Sequence, residues 1–311
     1  MTSPVTAGSA TGSIYDLGYR GYEGPRLGRA FAIRSLFTHS LRSTYGLGRT
    51  TRAKLAPWFL LVFAVLPAIS IIAALVLVGR FGGQISDIIG ANSPIRYDTM
   101  FSVLSGAAII ALFCAAQAPE LFGRDQRFGI LSLYFARALR RTDYTLARML
   151  GFAMAVLILY LLPQLVLFLG RVLLATDVVA AFQRDVPSIP PVIAEGILAA
   201  LLYGGLSMVV SAYTPRRAYA VAGIIALFTI PGILTGIVTG LGSSTAGDLL
   251  TLISPGFILE RTETRLRRFS EHAADSSARN DRLWRKLKVT AVMSIALWSA
   301  TLVAGTLLVN A

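Results

Sequence analysis

Residues Pro119–Leu150 read PELFGRDQRFGILSLYFARALRRTDYTLARML, a charged and aromatic interruption between two long apolar segments. Arg124, Arg127, Arg137, Arg140, Arg141 and Arg148 stand here against the acids Glu120, Asp125 and Asp143. Nothing so charged crosses a bilayer. Within it, Gly129–Ala136 is expected to be helical, because Ile130 meets Tyr134 and Leu131 meets Phe135 at i,i+4 spacing. A second helix is expected from Thr142 onward, where Asp143 suits the positive end of a helix dipole. The basic turn Arg137–Arg141 separates the two. If the flanking topology puts this loop in the cytoplasm, it is where a soluble partner would grip the membrane domain.

Composition agrees with that picture. The 311-residue chain is 55% hydrophobic and 14% charged, with a mean hydropathy of +0.65, whereas about a quarter of a soluble domain is charged. An all-α polytopic membrane protein follows. A formal charge of +13 would suggest nucleic acid in a soluble chain. Here the arginines cluster in the polar stretches between apolar runs, which the positive-inside rule explains and nucleic acid does not. Cys114 lies within an apolar run and is read as a small hydrophobe. Residues 1–28, expected to be a cytoplasmic N-terminal segment, lack the pattern of a cleavable signal.

A helix needs roughly 20 mostly apolar residues to span a bilayer. Six segments qualify: Pro57–Gly79, Thr99–Ala118, Met149–Gly170, Val192–Ala212, Ala218–Gly240 and Lys288–Val309. Residues 57–311 are therefore read as the transmembrane domain. With the N-terminus inside, the inner pieces up to the fifth span carry sixteen Lys/Arg, and the outer ones carry only Arg80, Arg96, Arg171 and Arg184. That places the loop 119–149 in the cytoplasm. The stretch 241–287 breaks the alternation with eight Lys/Arg. It is expected to be an outer basic loop with a re-entrant hairpin over Asp248–Leu259; the alternative is a crossing that leaves the basic run inside.

Before the first span, Ile33, Phe37 and Leu41 recur every four residues with Arg34, Thr38 and Arg42 beside them. Residues 29–56 are thus expected to form an amphipathic helix lying on the inner membrane face, with a soluble surface helix as the plainer reading. In the fifth span, Gly232, Gly236 and Gly240 form a tandem GxxxG, suited either to packing within the subunit or to a dimer or gating seam.

His39 and His272 stand far apart with no Cys or carboxylate at ligand spacing, so no metal is expected. No lysine follows a glycine, so the phosphate-cradling GxxxxGK[ST] is absent and the chain is expected to be no ATPase itself. No charged residue lies near the middle of a span, which argues against ion coupling.

Taken together, the loop resembles that of permease subunits of ATP-binding-cassette exporters, type-2 permease superfamily. The features are Glu120, Arg124-Asp125, Gly129 followed by Ile130–Tyr134, the turn Arg137–Arg141, and Asp143–Leu150. YDLGYRGYEGPRLGR (Tyr15–Arg29), TPRR (Thr214–Arg217) and LISPG (Leu252–Gly256) are similar to an actinobacterial-type branch. Two departures are Ala138, where the family usually has proline, and the lack of a basic run after the sixth span. The resemblance implies six spans, an N-terminal elbow helix and a cytoplasmic coupling helix that docks on a separate ATPase holding ATP and Mg. Gly129, Ile130, Leu131, Tyr134 and Phe135 would be the coupling helix, with Arg137, Arg140, Arg141 and Asp143 as its flank and Ile33, Phe37 and Leu41 on the elbow. A second permease copy or paralogue, membrane lipids and a hydrophobic or amphipathic substrate complete the implied partners. The loop face otherwise suits anionic lipid. An ion-coupled or passive carrier, or a non-transporting scaffold or sensor subunit, are the rival functions.

Overall fold

The structure is a computed structural model that describes residues 27–81, 106–136, 139–186, 189–214 and 216–241, with Gly24 and the pair Pro255–Gly256. Among these residues the regular structure is all helix, joined by short turns, with no strand. In order, the helices are α1 (Gly28–Thr44), α2 (Thr51–Phe81), α3 (Gly106–Leu121), α4 (Gly123–Arg127), α5 (Leu131–Phe135), α6 (Arg141–Leu174), α7 (Val178–Asp185), α8 (Ile189–Tyr213) and α9 (Arg217–Gly240). Within α2, α6, α8 and α9, the stretches Ala53–Leu77, Arg141–Leu174, Ile189–Tyr213 and Arg217–Val238 are each long and apolar enough to cross a membrane. They cover the expected first, third, fourth and fifth spans. The second expected span overlaps α3, but residues 99–105 lie outside the described residues. So do the sixth span, Lys288–Val309, and the stretch 241–287 apart from Leu241 and Pro255–Gly256.

Lipid is the solvent these surfaces suit. On α2, Phe59, Val62 and Phe63 are more than half exposed, an arrangement costly in water and free in hydrocarbon. Between helices in lipid the hydrophobic effect gives no drive, so association depends on close van der Waals contact and small residues. The core joining α3, α6 and α8 follows that rule. Ala115, Ala118, Ala155, Ala199 and Ala200 are buried beside Phe113, Phe152 and Tyr203. Cys114, fully buried in the same cluster, packs as an apolar residue. The Tyr203 ring stacks on Phe228 of α9 at 4.4 Å. Pro255 is buried, and a Cβ on Gly256 would lie 3.7 Å from the Tyr203 hydroxyl, so this pair of the expected re-entrant piece stands beside the middle of α8.

The expected helix over 29–56 ends early. Gly46 adopts φ +68°, the Gly46 N–H donates to the Ser43 carbonyl at 3.0 Å and the Leu47 N–H to the Arg42 carbonyl at 2.8 Å. That pattern closes a helix at a left-handed glycine. The chain turns and restarts at Thr51, so 51–56 belong to the first span.

Nor does α1 touch lipid alone. Arg29 pairs with Asp143, Leu36 clusters with Ala147, a Cβ on Gly151 would lie 2.7 Å from Ser40 Cβ, and the Tyr45 hydroxyl donates to the Ala155 carbonyl at 2.7 Å. Asp143, Ala147, Gly151 and Ala155 fall at four-residue steps, so α1 runs in the same direction as α6 along one of its faces. At Gly151 the two helices lie in close contact, with the Phe37 carbonyl 2.9 Å from any Cβ placed there. Gly151→Leu is expected to cost about 1–3 kcal/mol in a thermal melt. Gly204→Ala, whose Cβ would meet nothing nearer than 3.6 Å, is expected to leave the melt unchanged.

Candidate functional site

The site is the loop 119–150 with the helices that hold it. Its first turn is α4, ended by Gly129 at φ +62°. The Gly129 N–H donates to the Gln126 carbonyl and the Ile130 N–H to the Asp125 carbonyl, each at 3.1 Å, again the bonds that close a helix on glycine. Gly129 is therefore the end of α4, and the short helix expected to start with it begins at Leu131.

All three acids of the loop are engaged internally. Asp143 accepts from Arg29 Nε at 2.7 Å and Nη2 at 2.6 Å, and from the Arg140 backbone N–H at 3.1 Å. It thus satisfies a donor at the start of α6 while tying α1 to it. Asp125 lies beneath the loop, where it accepts from the Tyr144 hydroxyl at 2.6 Å and from Arg148 Nη2. The Arg148 side chain is only 3% exposed, and its guanidinium sits 5.5 Å from the Tyr144 ring centre and 6.0 Å from that of Tyr134. Glu120, at the end of α3, receives Arg217 of α9 at 2.7 Å and Arg49 of the α1–α2 turn at 3.3 Å.

With the acids drawn inside, the outward surface is basic: Arg124, Arg127, Arg140 and Arg141 are exposed. The Arg141 guanidinium lies 5.7 Å from the Phe135 ring centre. Electrostatics at the rim follow from these pairings. The carboxylate of Asp143 holds the Arg29 guanidinium above its usual pKa. Loss of hydration, then the charge of Arg148, holds the His39 imidazole below its usual value. Burial pushes the Tyr45 hydroxyl far above the ordinary tyrosine range, so it stays a donor to Ala155.

The residues expected to form the coupling face do not all point outward. Leu131, Tyr134 and Phe135 pack with Ile33, Leu36 and Phe37 of α1 and with Tyr144 and Ala147 of α6. The Tyr134 and Phe135 rings lie 5.3 Å and 6.0 Å from that of Tyr144. Ile130 is half-buried, and Arg137 lies outside the described residues. The apolar side chains presented outward are Phe128, 69% exposed, and Leu133, 67% exposed. Compared with protein-family models and with curated proteins, the chain matches none.

Phe128 and Leu133 were within reach of sequence reasoning, since Phe128 precedes a glycine and Leu133 sits between the two paired rows. The Asp125–Arg148–Tyr144 cluster was harder to foresee, because its members are about 20 residues apart and meet only when α4 folds against α6. Of the elbow residues, Ile33 and Phe37 join the loop cluster and Leu41 packs on the main core. A Cβ at Gly232, Gly236 or Gly240 would meet no described atom within 4 Å, so close packing against the described helices is not what this stripe provides. Glu195, two turns into α8, is buried. Among the described residues no three His, Cys, Asp or Glu side chains gather as a metal would need.

Proposed function

We propose that the chain is the membrane-spanning permease subunit of an ATP-driven exporter of the ATP-binding-cassette, type-2 permease kind. It lies in the cytoplasmic membrane with its N-terminus and loop 119–149 inside, and it draws energy from a separate ATPase subunit that holds ATP and Mg. The observation that carries this reading is the outward pair Phe128 and Leu133, set among exposed arginines on a loop whose Leu131, Tyr134 and Phe135 are pinned to α1 and α6. Two apolar anchors with a charged surround are what a docking helix offers to a groove: the anchors supply buried contact and the arginines set orientation.

The pinning matters for transmission. In α6 the stretch Arg141–Leu162 precedes Pro163, the proline inside that helix, so a displacement imposed at α5 passes into the membrane along this stretch and tilts it as a body. Asp143–Arg29 and Asp125–Arg148 keep α1, α4 and α6 moving together. A second permease copy, identical or paralogous, is assigned to the α9 face bearing Gly232, Gly236 and Gly240, where small residues permit close approach. The cargo is a hydrophobic or amphipathic molecule.

In nanodiscs, the full-length chain is expected to raise the ATP turnover of its ATPase partner severalfold, and alone to hydrolyse no ATP. Uphill solute movement by the chain alone in liposomes would remove the reading.

A further inference from the structure

A cavity of about 410 Å³ lies between α6, α7 and the start of α8, a size typical of ligand sites. It runs along α6 from Met154 to Phe168, away from the end that carries the basic loop. Gln164 is 23 residues beyond Arg141, or about 35 Å along the helix at 1.5 Å per residue. Its walls are apolar, with Met154, Ile158 and Leu161 on α6 facing Ile193 on α8, and Gln164 and Asp185 are the polar residues that line it. Met154, Ile158 and Ile193 are each about two-fifths exposed, so the cavity opens sideways, toward what would be lipid.

Gln164 makes this a site and not merely a gap between helices. The residue is 7% exposed, and its amide oxygen is fully buried without a hydrogen-bond partner. A buried acceptor left unsatisfied is uncommon and costly. The side chain lines an apolar groove, about 9 Å along the helix from Gly170, the expected end of the span, and a turn of its terminal amide would carry the oxygen from its buried position into that groove. Asp185 lies in the same lining, paired with Arg171 at 3.6 Å. From Gln164, the apolar wall runs back to Met154, about 15 Å along the helix.

We propose that this groove binds a single-chain amphiphile drawn from the bilayer, with the Gln164 amide turning into the groove so that the ligand's hydroxyl or amide N–H donates to its oxygen, and the aliphatic tail lying along α6 toward Met154. The site goes beyond the export reading and does not depend on it, since neither the loop nor an ATPase enters the argument.

The test uses the full-length protein in nanodiscs and a long-chain monoacylglycerol carrying a diazirine in its tail. Photolabelling is expected within 154–168 and 189–193. Unlabelled monoacylglycerol is expected to compete about tenfold better than its dimethyl ether, which keeps the tail and loses the donors. Gln164→Leu should abolish that preference by weakening the monoacylglycerol alone, and Leu161→Trp, which fills the groove, should prevent labelling. Because Gln164→Leu removes an unsatisfied acceptor at similar volume, its melting temperature should equal or exceed that of the wild type. Labelling elsewhere, equal competition by the ether in the wild type, a preference that survives Gln164→Leu, or a lowered melt for that variant would each overturn the proposal. So would an unlabelled groove, the result expected if the apolar segment Lys288–Val309 of the same chain fills it.

Discussion

Leu133→Asp combined with Phe128→Asp is expected to abolish docking of the ATPase subunit while leaving the melting temperature of the permease unchanged. Both side chains are about two-thirds exposed and contribute to neither the loop cluster nor the main core, so a carboxylate at either position meets water and disturbs no packing. At an interface the same change places a charge where an apolar anchor was buried. Loss of such an anchor costs about 2 kcal/mol or more, roughly thirtyfold in affinity. The carboxylates also neutralise part of the field of Arg124, Arg127, Arg140 and Arg141, which slows encounter with an acidic groove. Leu131→Asp with Tyr134→Asp is the contrasting pair. These side chains pack against Ile33, Phe37 and Tyr144, so the expected result is a lowered melt, with docking lost only as a consequence. Affinity by surface plasmon resonance and melting by differential scanning fluorimetry separate the two outcomes. Docking that survives the Leu133 and Phe128 changes would exclude this face as the contact.

Breaking the buried pair beneath the loop is expected to have the largest effect on stability. Arg148→Met leaves Asp125 buried with only the Tyr144 hydroxyl, and Asp125→Asn leaves the Arg148 guanidinium, 3% exposed, without its counter-charge. Removing one member of a buried ion pair typically costs about 3–5 kcal/mol, because the remaining charge has been desolvated and not repaid. For a chain of this size that corresponds to a melting temperature lower by roughly 10 °C. The double change Asp125→Leu with Arg148→Met removes both charges and is expected to recover most of the loss. The cycle then reports the coupling between the two residues and not the effect of either alone. Tyr144→Phe, which deletes one hydrogen bond to Asp125, should cost about 1–2 kcal/mol. Additive effects of Asp125 and Arg148 would show that the pair is not the unit described here.

Some of this architecture was legible in the sequence and some was not, for identifiable reasons. The break at Gly46 has a signal, a glycine following the amphipathic run Ile33–Leu41, yet apolar periodicity on both sides of it reads as one helix. The carboxyl ends of Asp143 and Glu120 find Arg29 and Arg217 across long stretches of chain, and no local pattern encodes such partners. The orientation of α5 is the clearest case. In ILSLYF (Ile130–Phe135), apolar side chains surround nearly the whole helix, so periodicity cannot choose an inner face. The choice is made by Tyr144 on α6 and by Phe37 and Ile33 on α1, which take Leu131, Tyr134 and Phe135 and leave Leu133 outside.

The amino-acid sequence by itself determined that this is a helical membrane protein and marked the stretches in α2, α6, α8 and α9 that are long and apolar enough to cross. The bilayer demands length, hydrophobicity and internally satisfied backbone of each segment separately, whatever its neighbours. Only the tertiary structure decided where α1 rests, which side of the loop is presented outward, and that Gln164 stands unsatisfied in a groove between helices. Those properties belong to pairs of surfaces, and surfaces from distant parts of a chain meet only when it folds.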